Sequence, residues 1–271
     1  MEKGYQGRSL NLHRVCGLLG RTWFKYGVAV LFILGGKHLS AAVLNGVDFG
    51  VVYQGSILPT TATPAWLLSG GGSAAAYTST PNTPTDGILQ FTTATTGSRY
   101  YFIKYENASS PWNGSTAEGT AGSTVEFRLK IDSMNSDALR TTTVALLSGQ
   151  ALYTFNFNLT SVSAATTINL DTTVFHTYRI TLDGNGAGTA SLYIDNSATP
   201  VISGYSGTPT TANEVRFGDL SSSTGGTSEW EYFAFTNSGS FAPIPEPSTL
   251  LLMGAALAVL ITFRVHRRKL A

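Results

Sequence analysis

Cysteine is almost missing from this chain: Cys16 is the only one among 271 residues. No internal disulfide can form, and thiol chemistry is confined to one position near the N-terminus. The middle of the chain, residues 43–244, has none, so its stability must come from packing. Histidine is nearly as scarce. Three of the four lie near the ends, which leaves His176 alone in the middle. A serine triad would depend on that one residue, and no Gly-x-Ser-x-Gly elbow accompanies it. No His/Cys/Asp group has zinc-ligand spacing. Amphipathic helices of useful length are also absent, and Lys, Glu and Leu are thin across the middle.

The long apolar runs sit at the two ends. Tyr26–Gly36 is an apolar stretch of 11 residues preceded by Lys3, Arg8, Arg14, Arg21 and Lys25 and followed by Ser40-Ala41-Ala42. A basic segment, an apolar segment and a small-residue site in that order predict a secretory signal peptide over 1–42, cleaved after Ala42. An uncleaved signal anchor is the alternative. Cys16 precedes the apolar segment, so it is not placed for lipidation. At the other end, Leu250–Phe263 carries no charge and a single polar side chain, Thr262. Counted from Ser248 the run has 16 residues, close to the roughly 17–25 of a membrane-spanning helix. Snorkelling basic flanks can supply the difference.

Charge follows the same division. Residues 1–42 sum to +5 and residues 245–271 to +3, against −7 for residues 43–244. Basic flanks stay on the cytoplasmic side while the segment between them crosses. The expectation is an acidic cargo exported across a membrane. An acidic cargo also argues against nucleic acid as a partner, because phosphate binding needs a positive face.

The middle is rich in Thr, Ser, Gly and aromatics, a composition that suits strands and turns. In Thr124–Ile131, the residues Val125, Phe127, Leu129 and Ile131 alternate with Thr124, Glu126, Arg128 and Lys130, which is the period of a half-buried strand. Tyr178, Ile180 and Leu182 repeat the pattern. After a turn at 183–188, Ala190, Leu192 and Ile194 return with Ser191, Tyr193 and Asp195 on the other face, so a hairpin is expected. Further strands are predicted near 47–53, 88–93, 99–106, 142–147, 151–159, 213–218 and 229–236. The sum is an all-β protein, a two-sheet β-sandwich of the jelly-roll kind over 43–237. Residues 59–87 read as a long Thr/Ser/Gly/Pro-rich surface loop, and residues 238–244 as a linker.

The C-terminal 27 residues resemble the PEP-CTERM sorting signal in all its parts: Pro245-Glu246-Pro247, an apolar helix, and the basic cluster Arg264, Arg267, Arg268 and Lys269. The resemblance implies an exported protein of a Gram-negative bacterium. It implies secretion machinery and an exosortase, a membrane-embedded cysteine transpeptidase, as partners. The inner membrane would hold the chain transiently, and exopolysaccharide is a further partner on the way to the cell surface or the extracellular space. Pro245, Glu246 and Pro247 would be the recognition element. The two prolines fix φ and remove donors, which leaves an extended peptide that a protease can hold. In the middle, Phe175–Asp183 followed by Ala190–Asp195 is similar to a hairpin of concanavalin A-like (LamG-type) jelly rolls. Arg216–Asp219 and Glu229–Tyr232 resemble the closing strands of that group. The fold hosts lectins, hydrolases and inert adhesion modules alike.

For chemistry, Glu229 and Glu231 are the obvious carboxylate pair, since glycosidases work with two. Laminarinase-type hydrolases of this fold carry Glu-x-Asp-x-x-Glu or a close variant. Here Phe233 and Ala234 stand where the second glutamate is needed, so the pair reads as solvent-facing, beside core residues Trp230 and Tyr232, and no catalytic residue is assigned. His176 reads as a hydrogen-bonded histidine at a core edge. Asp183-Gly184-Asn185-Gly186 opens like a calcium loop, but its twelfth position is Ile194 rather than the bidentate Glu required. No cofactor is assigned. Structural calcium remains open through a site built from several loops with Asp219. Glycan contacts, if present, fall to Trp66, Trp112 and Tyr193, with Asn156 and Asn158 on a polar strand face. The expectation is therefore a non-catalytic surface or matrix protein. A lectin-like carbohydrate-binding domain and a divergent glycoside hydrolase are the alternatives.

Overall fold

A computed structural model describes residues 42–44, 46–70, 87–93, 98–107, 109–113, 122–134, 142–184, 188–221 and 225–244. The expected signal peptide up to Ala41 and the whole of 245–271 lie outside the described residues.

The alternation read from Thr124 to Ile131 sets the inner face of the longest strand. One antiparallel sheet runs in the order β14 (Ile202–Ser206), β13 (Thr189–Ile194), β12 (His176–Leu182), β7 (Ser123–Met134), β17 (Gly226–Thr236), β3 (Val51–Gln54). β5 (Leu89–Thr92) also pairs with β17. The facing sheet runs β11 (Thr167–Asn169), β10 (Ser161–Ser163), β9 (Ala151–Asn158), β8 (Thr142–Ser148), β16 (Asn213–Asp219), β6 (Arg99–Lys104), β4 (Leu67–Gly70). β15 (Thr208–Pro209) adds to β9. Outside both sheets, β1 (Ala42–Leu44) and β2 (Val47–Phe49) form a hairpin of their own. The protein is an all-β two-sheet sandwich.

Between the sheets lies an aromatic core. Phe217 stacks on Phe233 at 4.8 Å between ring centroids, Phe233 on Phe127 at 5.5 Å, and Phe127 on Tyr178 at 5.4 Å. Each such pair adds about 0.5–1.5 kcal/mol beyond the area it buries. The expected hairpin is present as β12 and β13, with Tyr178 opposite Ile194 and Leu182 opposite Ala190. It turns onward through Asp195 and Asn196, both at positive φ (51° and 59°). Asp and Asn accept that conformation because their short side chains bond locally.

Four expectations are corrected. The stretch 47–53 is two strands broken at Gly50: β2 pairs with β1, while β3 joins the main sheet beside β17. The surface loop expected from residue 59 begins instead as fold. Pro59–Thr61 makes one 3-10 turn, Trp66 enters the core, and β4 pairs with β6. Its polar composition hid the single tryptophan that anchors it, and residues 71–86 lie outside the described residues. In β17 the register slips between Trp230 and Tyr232. This β-bulge at Glu231 keeps Trp230 and Phe233 inside and turns Tyr232 to the outer face, where period two had placed it in the core. Finally, Thr124 and Glu126, on the polar face of β7, are buried as completely as their apolar neighbours. Something covers that face.

Candidate functional site

The cover is the chain's own exit segment. After β17, residues 237–244 cross the outer face of the sheet that contains β7 and β12. Asn237 Nδ2 donates to the Pro111 carbonyl at 2.9 Å. The Thr124 hydroxyl donates to the Gly239 carbonyl at 2.7 Å and accepts the Phe241 N–H at 2.9 Å. Arg179 Nη1 reaches the Phe241 carbonyl at 3.4 Å, and the Ser240 hydroxyl bonds Asp183. Pro243 is buried, and Ile244 lies beside Gly46 in the turn between β1 and β2. The expected linker 238–244 is thus strapped to the sandwich.

Beneath the strap sits a buried ion pair. Arg179 Nε and Nη2 lie 2.7 and 2.6 Å from Glu126 Oε2, and the Tyr232 hydroxyl donates to Oε1 at 2.9 Å. Burial, and then the neighbouring Glu126 charge, push the Tyr232 phenol well above its ordinary range. A paired, hydrogen-bonded charge is the form in which a buried charge can be tolerated. Neither sequence period nor residue type announces this pair. Glu126 and Arg179 become partners only because β7 and β12 set them directly opposite each other.

Further along the same face, the carboxylates singled out as a pair are each matched to a cation. Glu229 lies 2.8 Å from Lys130, which also holds Asp132 at 3.0 Å, and Glu231 lies 2.8 Å from Arg128. The hydrogen bonds it donates, to Glu229 first and then to Asp132, hold the Lys130 ammonium above its usual range. The ring of Phe175 sits under both Arg128 and Lys130, 5.5 Å from each. Beside this ladder a hollow of about 390 Å³ opens between the β1–β2 hairpin and the main sheet. Leu44, Val52 and Ile88 give it an apolar wall, and Gln54, Ser56, Glu231 and Tyr232 a polar one.

The other sequence-derived candidates are placed as follows. Trp66 and Trp112 are 1% and 0% exposed and offer no ring face to a glycan; Tyr193 is 8% exposed. These three are corrected from contacts to packing, because core aromatics and binding aromatics look alike in composition. Trp112 spends its N–H on the Leu147 carbonyl at 3.1 Å. Asn156 and Asn158 face outward on β9, bonded to Thr143 and Ser161. His176 closes on the hairpin, with Nδ1 2.6 Å from Asp195 and Nε2 2.9 Å from the Asp171 carbonyl. Asp219 turns inward and ties the two sheets together. Thr93 Oγ1 donates to its Oδ2 at 2.5 Å and the Ser221 N–H to its Oδ1 at 2.8 Å. Burial pushes its carboxyl up to about 7 against those two hydrogen bonds. Among the described residues no cluster of His, Cys, Asp or Glu is arranged to hold a metal ion. No helix among them is long and apolar enough to cross a membrane. Pro245, Glu246, Pro247, Arg264, Arg267, Arg268 and Lys269 lie outside the described residues.

Fold and strap together define a β-sandwich with a C-terminal extension strapped across its outer face. The extension is of known kind: residues 243–268 match the PEP-CTERM protein-sorting motif. No curated protein matches the chain in sequence. Among solved structures, it is similar to a carbohydrate esterase from the Shiga toxin-encoding bacteriophage phi24B, at 15% identity and a TM-score of 0.44, covering 72% of this chain and 100% of that one. It is also similar to the botulinum neurotoxin serotype D binding domain, at 12% identity and a TM-score of 0.41, covering 68% of this chain and 46% of that one. The binding domain of botulinum neurotoxin DC in complex with SialylT shares 11% identity at a TM-score of 0.41, covering 73% and 48% respectively. The chain thus spans about half the length of these toxin structures. At such identities nothing of the neighbours' ligands or reactions transfers.

Proposed function

We propose that this chain is an exported, non-catalytic surface or matrix protein of a Gram-negative bacterium. It would be held briefly in the inner membrane by its C-terminal apolar segment and processed there by an exosortase. The observation that carries this reading is the sorting motif at 243–268, which takes in the last two strap residues, Pro243 and Ile244. We propose for it a structural or adhesive role in the envelope or the extracellular polysaccharide matrix, on the strength of the sorting signal's resemblance. The pairing of Glu229 and Glu231 with Lys130 and Arg128 supports a non-catalytic sandwich, as does the engagement of both ring nitrogens of His176. A glycosidase acid needs a carboxyl kept protonated, not one neutralised by a fixed cation. The test is cell fractionation with mass spectrometry of both ends of the mature protein. The reading expects surface or extracellular protein that starts near Val43 and lacks Leu250–Ala271. A permanent full-length membrane form, or processing unaffected by Pro245→Ala, would overturn it.

A lectin-like reading is favoured by one observation, the 390 Å³ hollow. Its amide, hydroxyls and carboxylate beside an apolar wall are groups that grip sugar hydroxyls. Glycan-array binding abolished by Gln54→Ala would support it; binding lost only with Trp66→Ala would not, since that variant disturbs the core. Polysaccharide turnover abolished by Glu231→Gln would instead revive the divergent hydrolase.

A further inference from the structure

Pro245 stands one residue beyond Ile244, so the sorting tripeptide begins where the strap ends. A protease or transpeptidase holds its substrate as an extended strand and needs free backbone N–H and C=O groups on both sides of the bond it cuts. Around Phe241 those groups are taken. The Phe241 N–H is bonded to Thr124 and its carbonyl faces Arg179, although the side chain is 39% exposed. Thr124, fully buried, uses one oxygen both to donate to Gly239 and to accept from Phe241. Arg179 is in turn held in place by Glu126, and Glu126 by Tyr232. Peeling the strap would strand these buried polar groups.

Resting on the sorting reading above, we propose that Thr124 and Arg179 are positioning residues for processing. By clamping 237–241 to the sandwich they confine cleavage to bonds C-terminal of Ile244. The bond broken is a peptide C–N bond. Its acyl carbon passes to water or to an acceptor amine, and the tail leaves with a new amino terminus. The mature protein then keeps the whole strap, through Ile244, on its fold.

The test uses the full-length chain and has two arms. Chymotrypsin cuts after large apolar residues, and cleavage after Phe241 reports strap opening independently of any exosortase. Thr124→Val keeps shape and strand propensity but loses both hydrogen bonds, and Thr124→Ser restores them. Proteolysis of a transiently opened segment tracks its open population. Two lost hydrogen bonds therefore correspond to cleavage after Phe241 about tenfold to a hundredfold faster in Thr124→Val, with wild-type rates in Thr124→Ser. If Thr124→Val does not fold, Ser240→Ala, which releases the strap from Asp183, takes its place with a smaller acceleration. In the second arm, the wild-type mature C-terminus in cells lies at or beyond Ile244, and Thr124→Val adds ends within 238–243. A wild-type end upstream of Ile244, or a folded Thr124→Val no more sensitive than wild type after Phe241, refutes the clamp. Unchanged processing of Pro245→Ala refutes the sorting reading instead and leaves the chymotrypsin arm to decide the clamp.

Discussion

Asp219 gives this sandwich an unusual dependence on pH. Its carboxyl sits at the end of β16, buried between the sheets, with a pKa near 7 against an ordinary 3.8. Desolvation is the larger cause, and the hydrogen bonds from Thr93 and Ser221 only partly offset it. The native state therefore keeps its proton where the unfolded chain has already released it. Stability is then lost as pH rises from about 4 to about 7, and the full penalty applies above that. Each pKa unit is worth about 1.4 kcal/mol, so the ionised carboxylate costs about 4 kcal/mol. Asp219→Asn removes the titration and keeps an oxygen for the Ser221 N–H. Urea unfolding of wild type and variant across pH 4.5 to 8 checks this. The variant gains little at the acid end, and its advantage grows towards roughly 4 kcal/mol at the alkaline end. A difference that stays flat across that range would refute the argument and mean that the carboxylate is solvated or paired.

Three further outcomes follow from the packing. Arg179→Met strands the Glu126 carboxylate and should cost about 3–5 kcal/mol, while the double change with Glu126→Leu recovers most of it, as read by denaturant unfolding. Trp66→Ala empties a site where the indole meets Phe217 at 4.9 Å and Phe233 at 5.3 Å. It should cost about 3–5 kcal/mol in a thermal or chemical melt, with Trp66→Phe markedly milder. Gly55→Ala places a Cβ 2.3 Å from the Trp230 carbonyl oxygen and 2.7 Å from that of Gly87. Backbone must move, so the melting temperature should fall by several degrees, as scanning calorimetry would read.

The strands that carry the core were legible because a sheet with one face inside writes its period into the sequence. Val125 to Ile131 and Tyr178 to Leu182 point inward as their alternation requires. The two- to five-residue strands β1, β4, β10, β11, β14 and β15 were not legible, because so few residues carry no period. The candidate site was legible only at its far end. The sorting motif is a linear pattern, and the sequence alone contains it. The strap could not be read, since Ser238–Pro243 has the composition of a linker. Its order comes from Thr124, Arg179 and Asp183, which lie more than fifty residues away in the chain.

What the sequence by itself determined is therefore the class of fold and the sorting tail, both written in local order: alternation along a strand, and a tripeptide ahead of an apolar run and a basic cluster. What only the tertiary structure decided is where side chains with no local partner end up. The bulge at Glu231 moved Tyr232 to the outer face, Glu126 met Arg179 across two strands, and Asp219 was sealed between the sheets. Each depends on which strands lie side by side and in what register, and a one-residue slip reverses the face on which a side chain appears.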